Sequence, residues 1–113
     1  MNEFLWLDGI KGSITVTDIH GTIIFMNESA QETFKSDGGK ELIGKNLMDC
    51  HPESAREKIN NLLAEKKTNA YTIEKKGKKK LIWQTPWMKD GACAGLVEIS
   101  LEIPFEMPNF IRK

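Results

Sequence analysis

Val97, Ile99, Leu101 and Ile103 alternate with Glu98, Ser100 and Glu102 near the end of the chain, and few folds accommodate such a run. Successive side chains of a strand point to opposite faces, so this strand has one buried and one wet face. Sheets with one solvated face are mostly antiparallel. Pro104 and Pro108 stop the run and leave Phe105, Met107, Phe110 and Ile111 in a tail.

The same period appears earlier. From Ser13, Ile14 and Val16 alternate with Thr15 and Thr17; Asp18-Ile19-His20-Gly21 supplies turn residues, and residues 22–26 form a second β-like run, together a hairpin. Residues 70–75, a turn at Gly77, residues 81–87 and a turn at Lys89-Asp90-Gly91 lead into the final strand at residues 95–103. Between these β regions the pattern is helical. Ala55, Ile59, Leu62 and Leu63 fall at i, i+4, i+7 and i+8, which predicts a helix from Pro52 to about Lys67 with one apolar stripe. Pro52 suits the first helical position, where its missing N–H costs nothing. Asn27 is placed to cap a short helix over residues 28–34, residues 35–40 read as a loop, and Leu42, Ile43, Leu47 and Met48 form only short turns around Gly44. Residues 3–10 hold one or two helical turns closed by Gly9 and Gly12. The expected architecture is α+β: an antiparallel sheet with helices on one face.

At 113 residues the chain suits one domain, and 40% hydrophobic content supplies a core. Sixteen basic and sixteen acidic residues cancel, so no net field draws the protein to nucleic acid or to an anionic membrane. The N-terminus lacks the charged and apolar regions of a signal peptide, and no stretch is long and apolar enough for a membrane span, which makes the cytoplasm the expected compartment. Cys50 and Cys93 are widely separated and read as free thiols.

The run Asp18-Ile19-His20-Gly21-Thr22-Ile23-Ile24-Phe25-Met26-Asn27 resembles the opening hairpin of the PAS family. Ala30 and Phe34 match the apolar positions of that family's first short helix. Leu42-Ile43-Gly44-Lys45 resembles its Ile-Gly-Lys turn, and Pro86, Asp90-Gly91 and Gly95-Leu96-Val97 resemble its last hairpin, with Pro ending one strand. The resemblance spans roughly residues 10–103. It implies a five-stranded antiparallel sheet whose concave face and flanking helices enclose a small cavity, in domains that bind haem, flavin, organic acids or nothing and often dimerise.

Against that expectation, six residues form the candidate ligand-binding set: Phe25, Cys50, His51, Ile59, Trp83 and Val97. Cys50-His51 sits at the start of the long helix and offers two metal-capable side chains, with haem iron as one use. The competing reading makes His51 a cap residue before Pro52 and Cys50 a small buried hydrophobe. Haem-binding members usually place their histidine within the long helix, and residues 53–67 contain none. Asp49-Cys50-His51-Pro52 also lacks the flavin-adduct context of the LOV branch, which leaves only noncovalent flavin open. Zinc is disfavoured because Cys50, His51, Cys93 and His20 lack paired ligand spacing. Trp83, Trp87, Phe25 and Tyr71 either stack on a planar ligand or pack a core. Gln84, next to Trp83, points to the opposite face, into solvent or into the cavity. Lys75, Lys76, Lys78, Lys79 and Lys80 read as a solvated turn that protects a sheet edge rather than as a phosphate site.

No Ser-His-Asp or Cys-His arrangement, paired carboxylates or phosphate-gripping Gly loop is evident, so no catalysis is expected. The reading is a sensory module that binds a small ligand internally and signals to a partner protein in trans. Its alternatives are a ligand-free dimerisation domain and a haem or flavin sensor. Three segments are expected: residues 1–12 as a cap and dimer segment, 13–103 as the domain, and 104–113 as a tail. The apolar residues at both ends, including Phe4, Leu5, Trp6 and Leu7, are expected to cover the outer sheet face or a second copy in a homodimer.

Overall fold

The computed structural model describes residues 4–47 and 53–113, with the side chains of residues 53–56 and 58 left aside. Five strands form one antiparallel sheet in the order β2-β1-β5-β4-β3: β1 (Ser13–Thr17), β2 (Ile23–Met26), β3 (Asn69–Lys75), β4 (Lys78–Lys89) and β5 (Ala92–Ile103). Helix α1 (Glu28–Thr33) and helix α2 (Glu53–Glu65) lie between β2 and β3 in the chain, joined by 3-10 turns at Lys35–Asp37 and Gly39–Leu42. A further 3-10 helix, Leu5–Gly9, precedes β1. Residues 35–40, expected as a loop, are thus largely wound into single turns, the tight geometry short segments can adopt without a full helical nucleus.

Local chemistry dictates the turns. Asp18 Oδ1 accepts from the backbone N–H of both His20 and Thr22, closing the β1–β2 connection as an Asx turn. In the β3–β4 hairpin Lys76 and Gly77 both have positive φ, and in the β4–β5 hairpin Asp90 and Gly91 do too, the backbone twist that two-residue hairpins favour. Strand β4 runs through Pro86 to Lys89 instead of ending at the proline. β3 stops opposite Gln84, so Pro86 has a neighbour on one side only, where a missing N–H leaves no ladder bond unmade.

The outer face of the sheet is apolar. Ile14, Val16 and Phe25 are buried there, with Val97, Ile99 and Trp87 beside them and Phe4 and Leu7 of the N-terminal segment laid on top. The Phe4 ring lies 5.5 Å from Phe25 and meets Trp87 edge-on at 6.1 Å. Only part of the N-terminal apolar run is covered, because Leu5 and Trp6 face solvent, as do Phe105, Met107, Phe110 and Ile111 of the tail. A 3-10 helix this short presents one side to the sheet, and Phe4 and Leu7, three residues apart, share it.

Asn27 ties the layers together and is fully buried, 0% exposed. Its Oδ1 accepts from the N–H of Ile14 in β1 and of Ala30 in α1; its Nδ2 donates to the carbonyls of Leu7 and Gly12. All four hydrogen-bonding positions of this amide, two acceptor lone pairs and two N–H donors, are used, which is how a buried polar side chain becomes stabilising. The cap expected at Asn27 is therefore also the joint between N-terminal segment, β1 and α1.

Two apolar clusters hold the helical layer. Ile23, Met26, Ala30 and Leu42, with Phe34 and Leu47, join α1 and the 3-10 turns to β2. Ile59, Leu62 and Leu63 of α2 pack on Leu96 and Cys93 at the start of β5. Among the described residues, no helix is long and apolar enough to cross a membrane.

Candidate functional site

The inner sheet face is a row of mostly polar residues, one from each strand. Met26 of β2 pairs with Thr15 of β1, Thr15 with Glu98 of β5, Glu98 with Gln84 of β4, and Gln84 with Asn69 of β3. Three of the five are hydrogen-bonded in series. Asn69 Nδ2 donates to Gln84 Oε1 at 2.9 Å, and Gln84 Nε2 donates to Glu98 Oε2 at 2.8 Å. The series has one direction: Gln84 can serve Glu98 only with its amide nitrogen, which turns its oxygen to Asn69.

Above this floor the helical layer leaves space. A chamber of about 380 Å³ is bordered by Thr15, Thr17, Ile23, Met26, Phe34, Asp37, Leu42, Leu47, Leu96 and Glu98. An adjoining cleft of about 530 Å³ shares Phe34, Asp37 and Glu98 with it and continues over β3 and β4, past Ile59, Tyr71, Ile82 and Gln84, to Lys75 and Lys80. Both lie in the size range of small-molecule pockets. Tyr71 has its phenol pushed above the ordinary value of 10.0, first by partial burial and then by the negative charge of Glu98.

A β-bulge sets which residues of β2 reach the chamber. Val16 pairs with Phe25 but Thr17 pairs with Ile23, so Ile24 is an extra residue, and Ile23 and Met26 both face inward although they are three apart. Thr17 connects the two faces. It is 2% exposed; its hydroxyl donates to the Leu96 carbonyl and accepts from the Leu96 N–H, while its own carbonyl accepts the Trp87 indole N–H at 2.9 Å. Gly95 makes this approach possible, because a Cβ there would occupy the space of the Thr17 carbonyl oxygen.

The six candidate residues do not converge. Phe25 and Val97 lie on the outer face with Ile14 and Val16, away from the chamber, because each has the opposite strand parity from its chamber-lining neighbour, Met26 or Glu98. Trp83 pairs with Ile99 on that same outer side and is 42% exposed. Ile59 borders the cleft over β3 and β4. Cys50 and His51 lie outside the described residues. Of the four strand aromatics, Phe25 and Trp87 pack a core, Trp83 is part-exposed on the outer side and Tyr71 faces the cleft. Gln84, for which two directions were open, points inward. Sequence reasoning passed over Thr15, Thr17 and Glu98; the wet-face positions of β1 and β5 were their signal, because here the polar face is the one the helices cover.

Comparison with known proteins agrees with the fold. The PAS domain family profile matches residues 11–86. Sporulation kinase A of Bacillus subtilis (strain 168) is 39% identical over 71 residues, a match covering 58% of this chain and 12% of that kinase. The chain thus spans a small fraction of that relative. A sensory box sensor histidine kinase from Vibrio cholerae superposes with a TM-score of 0.63 at 19% identity, covering 88% of each chain. The Aer2 receptor of Vibrio cholerae, a dual PAS-haem oxygen sensor, superposes with a TM-score of 0.62 at 17% identity, over 87% of this chain and 99% of that one. The strand order, the Asp18 turn, the Asn27 cap and the profile match point to one conclusion: the chain belongs to the PAS domain family.

Proposed function

We propose that this PAS domain is a sensory module that takes a small ligand into the chamber between sheet and helices and passes occupancy on by protein contact, without catalysis. The observation that carries the reading is the polar row on the chamber floor. Thr15 and Glu98 face a space that the fold leaves unfilled beside Ile23, Met26, Phe34 and Leu47, and Gln84, which holds Glu98, borders the adjoining cleft. A few placed polar groups within an apolar lining is the usual composition of a ligand site. Differential affinity for two arrangements of the helical layer is then sufficient to bias a contact surface.

The output surface in this reading is the outer face, where Leu5, Trp6 and Trp83 are exposed next to the Phe4–Phe25–Trp87 cluster, and a second copy of the chain is its proposed occupant. Sedimentation at tens of micromolar tests this. A monomer there removes the homodimer from the proposal. By analogy with sporulation kinase A, the downstream partner is proposed to be a kinase or another signalling protein, reached in trans or within a longer chain.

The ligand is tested by mass spectrometry of what denaturation releases from freshly purified protein, together with its ultraviolet–visible spectrum. A released molecule, or amide shifts at Thr15, Thr17 and Glu98 on titration with metabolites, supports the sensor. Neither result, from a broad metabolite set, would favour a ligand-free interaction module. The Aer2 likeness keeps a haem reading in view. Haem needs an axial ligand; the described residues lining the chamber offer no imidazole or thiol, and the Met26 thioether is the haem-ligating side chain among them.

A further inference from the structure

Which ligand the chamber accepts is constrained by its charge. Its apolar part is Ile23, Met26, Phe34, Leu42, Leu47 and Leu96. The only charged groups among its described lining residues are Glu98 and Asp37, both carboxylates. Lysines enter only at the far end of the adjoining cleft, as Lys75 and Lys80 on the β3–β4 hairpin. Glu98 is also held in place. Gln84 donates to one of its oxygens and is fixed in turn by Asn69, so the carboxylate is oriented over the floor before any ligand arrives. No lysine or arginine among the described residues forms an ion pair with it; the ion pairs present join Lys35 to Glu32, Lys67 to Glu65 and Lys78 to Glu102, all exposed. An oriented carboxylate in a mostly apolar chamber repels an anion and accepts a charge-assisted hydrogen bond from a cationic donor.

We infer that the ligand is a compact apolar molecule bearing a protonated amine, with the ammonium seated against Glu98 and the apolar body among Ile23, Met26, Phe34 and Leu96. This rests on the reading of the chamber as a ligand site and adds its chemical class. Thr15 borders the same space and offers a hydroxyl to remaining N–H groups. Among the described residues no cation lines the chamber to receive an acid instead.

Three probes of one shape and different charge test the assignment: 2-phenylethylamine, 2-phenylethanol and phenylacetate, each titrated into the 15N-labelled chain at neutral pH with amide shifts as the readout. The amine is expected to bind about tenfold or more tightly than phenylacetate, with the alcohol between, as for a charge-assisted bond set against a repelled anion. Glu98→Gln keeps an acceptor for Gln84 and removes the charge. It is expected to bring the amine to within about threefold of the alcohol while leaving the alcohol unchanged. Phenylacetate binding as tightly as the amine, or an amine preference that survives Glu98→Gln, overturns the class and leaves the chamber as a ligand site. No shift at the chamber residues with any probe at millimolar concentration overturns the ligand site itself.

Discussion

The two faces of the sheet are built from the same strands and follow opposite rules. On the outer face Ile14, Val16, Phe25, Val97 and Ile99 close up against Phe4, Leu7 and Trp87. On the inner face Thr15, Glu98, Gln84 and Asn69 stand under a helical layer that touches the sheet at its two ends and leaves a chamber between. The dense face has the contacts expected of a core; the polar face has hydrogen bonds that a core would not need. Apolar packing and side-chain hydrogen bonding are thus divided between alternate positions of β1 and β5.

Asn27→Ala should be the most damaging change, since it removes the joint between the layers. Four backbone partners lose a side-chain bond in a buried site, and the expected cost is roughly 3–4 kcal/mol in denaturant unfolding. Phe25→Ala should cost about 3 kcal/mol through the cavity it opens under Phe4 and Trp87. Gln84→Ala, on the other face, should cost under about 1 kcal/mol, because its bonds are made in a partly wet row. Equal losses for Phe25→Ala and Gln84→Ala would break the division between the faces.

The smallest effect concerns pH. The Tyr71 phenol is held above its ordinary value, so the fold favours the neutral form. Its contribution is complete below pH 10.0 and is lost as pH rises through the folded value. Thermal melts on the alkaline side should therefore fall less steeply for Tyr71→Phe than for the parent chain. An unchanged alkaline slope would mean that neither burial nor Glu98 raises the Tyr71 phenol.

The turns and the Asn27 cap were legible in the sequence because each depends on local chemistry: an Asx turn at Asp18, positive φ at Gly77 and Gly91, a side-chain acceptor before α1. The parity of β4 was legible too, in that Trp83 and Gln84 had to part. What covers each face was not, because it depends on segments distant in sequence. The expectation that aromatic residues mark the cavity placed Phe25 and Trp83 there, and Val97 was set beside them, whereas Phe4 and Leu7 claim the side of Phe25 and Val97 for a core. In β2, strict alternation could not place Ile23 and Met26 together, since the bulge at Ile24 is set by pairing with β1.

Thr17 gives the domain an optical consequence. Thr17 borders the chamber and its carbonyl accepts the indole N–H of Trp87, so a displacement of this one residue alters the hydrogen bond of a half-buried fluorophore. The other two tryptophans, Trp6 and Trp83, are 71% and 42% exposed and emit from a watery environment. With those two replaced by phenylalanine, the emission of Trp87 is expected to follow any displacement of Thr17, needing no added dye and no downstream partner.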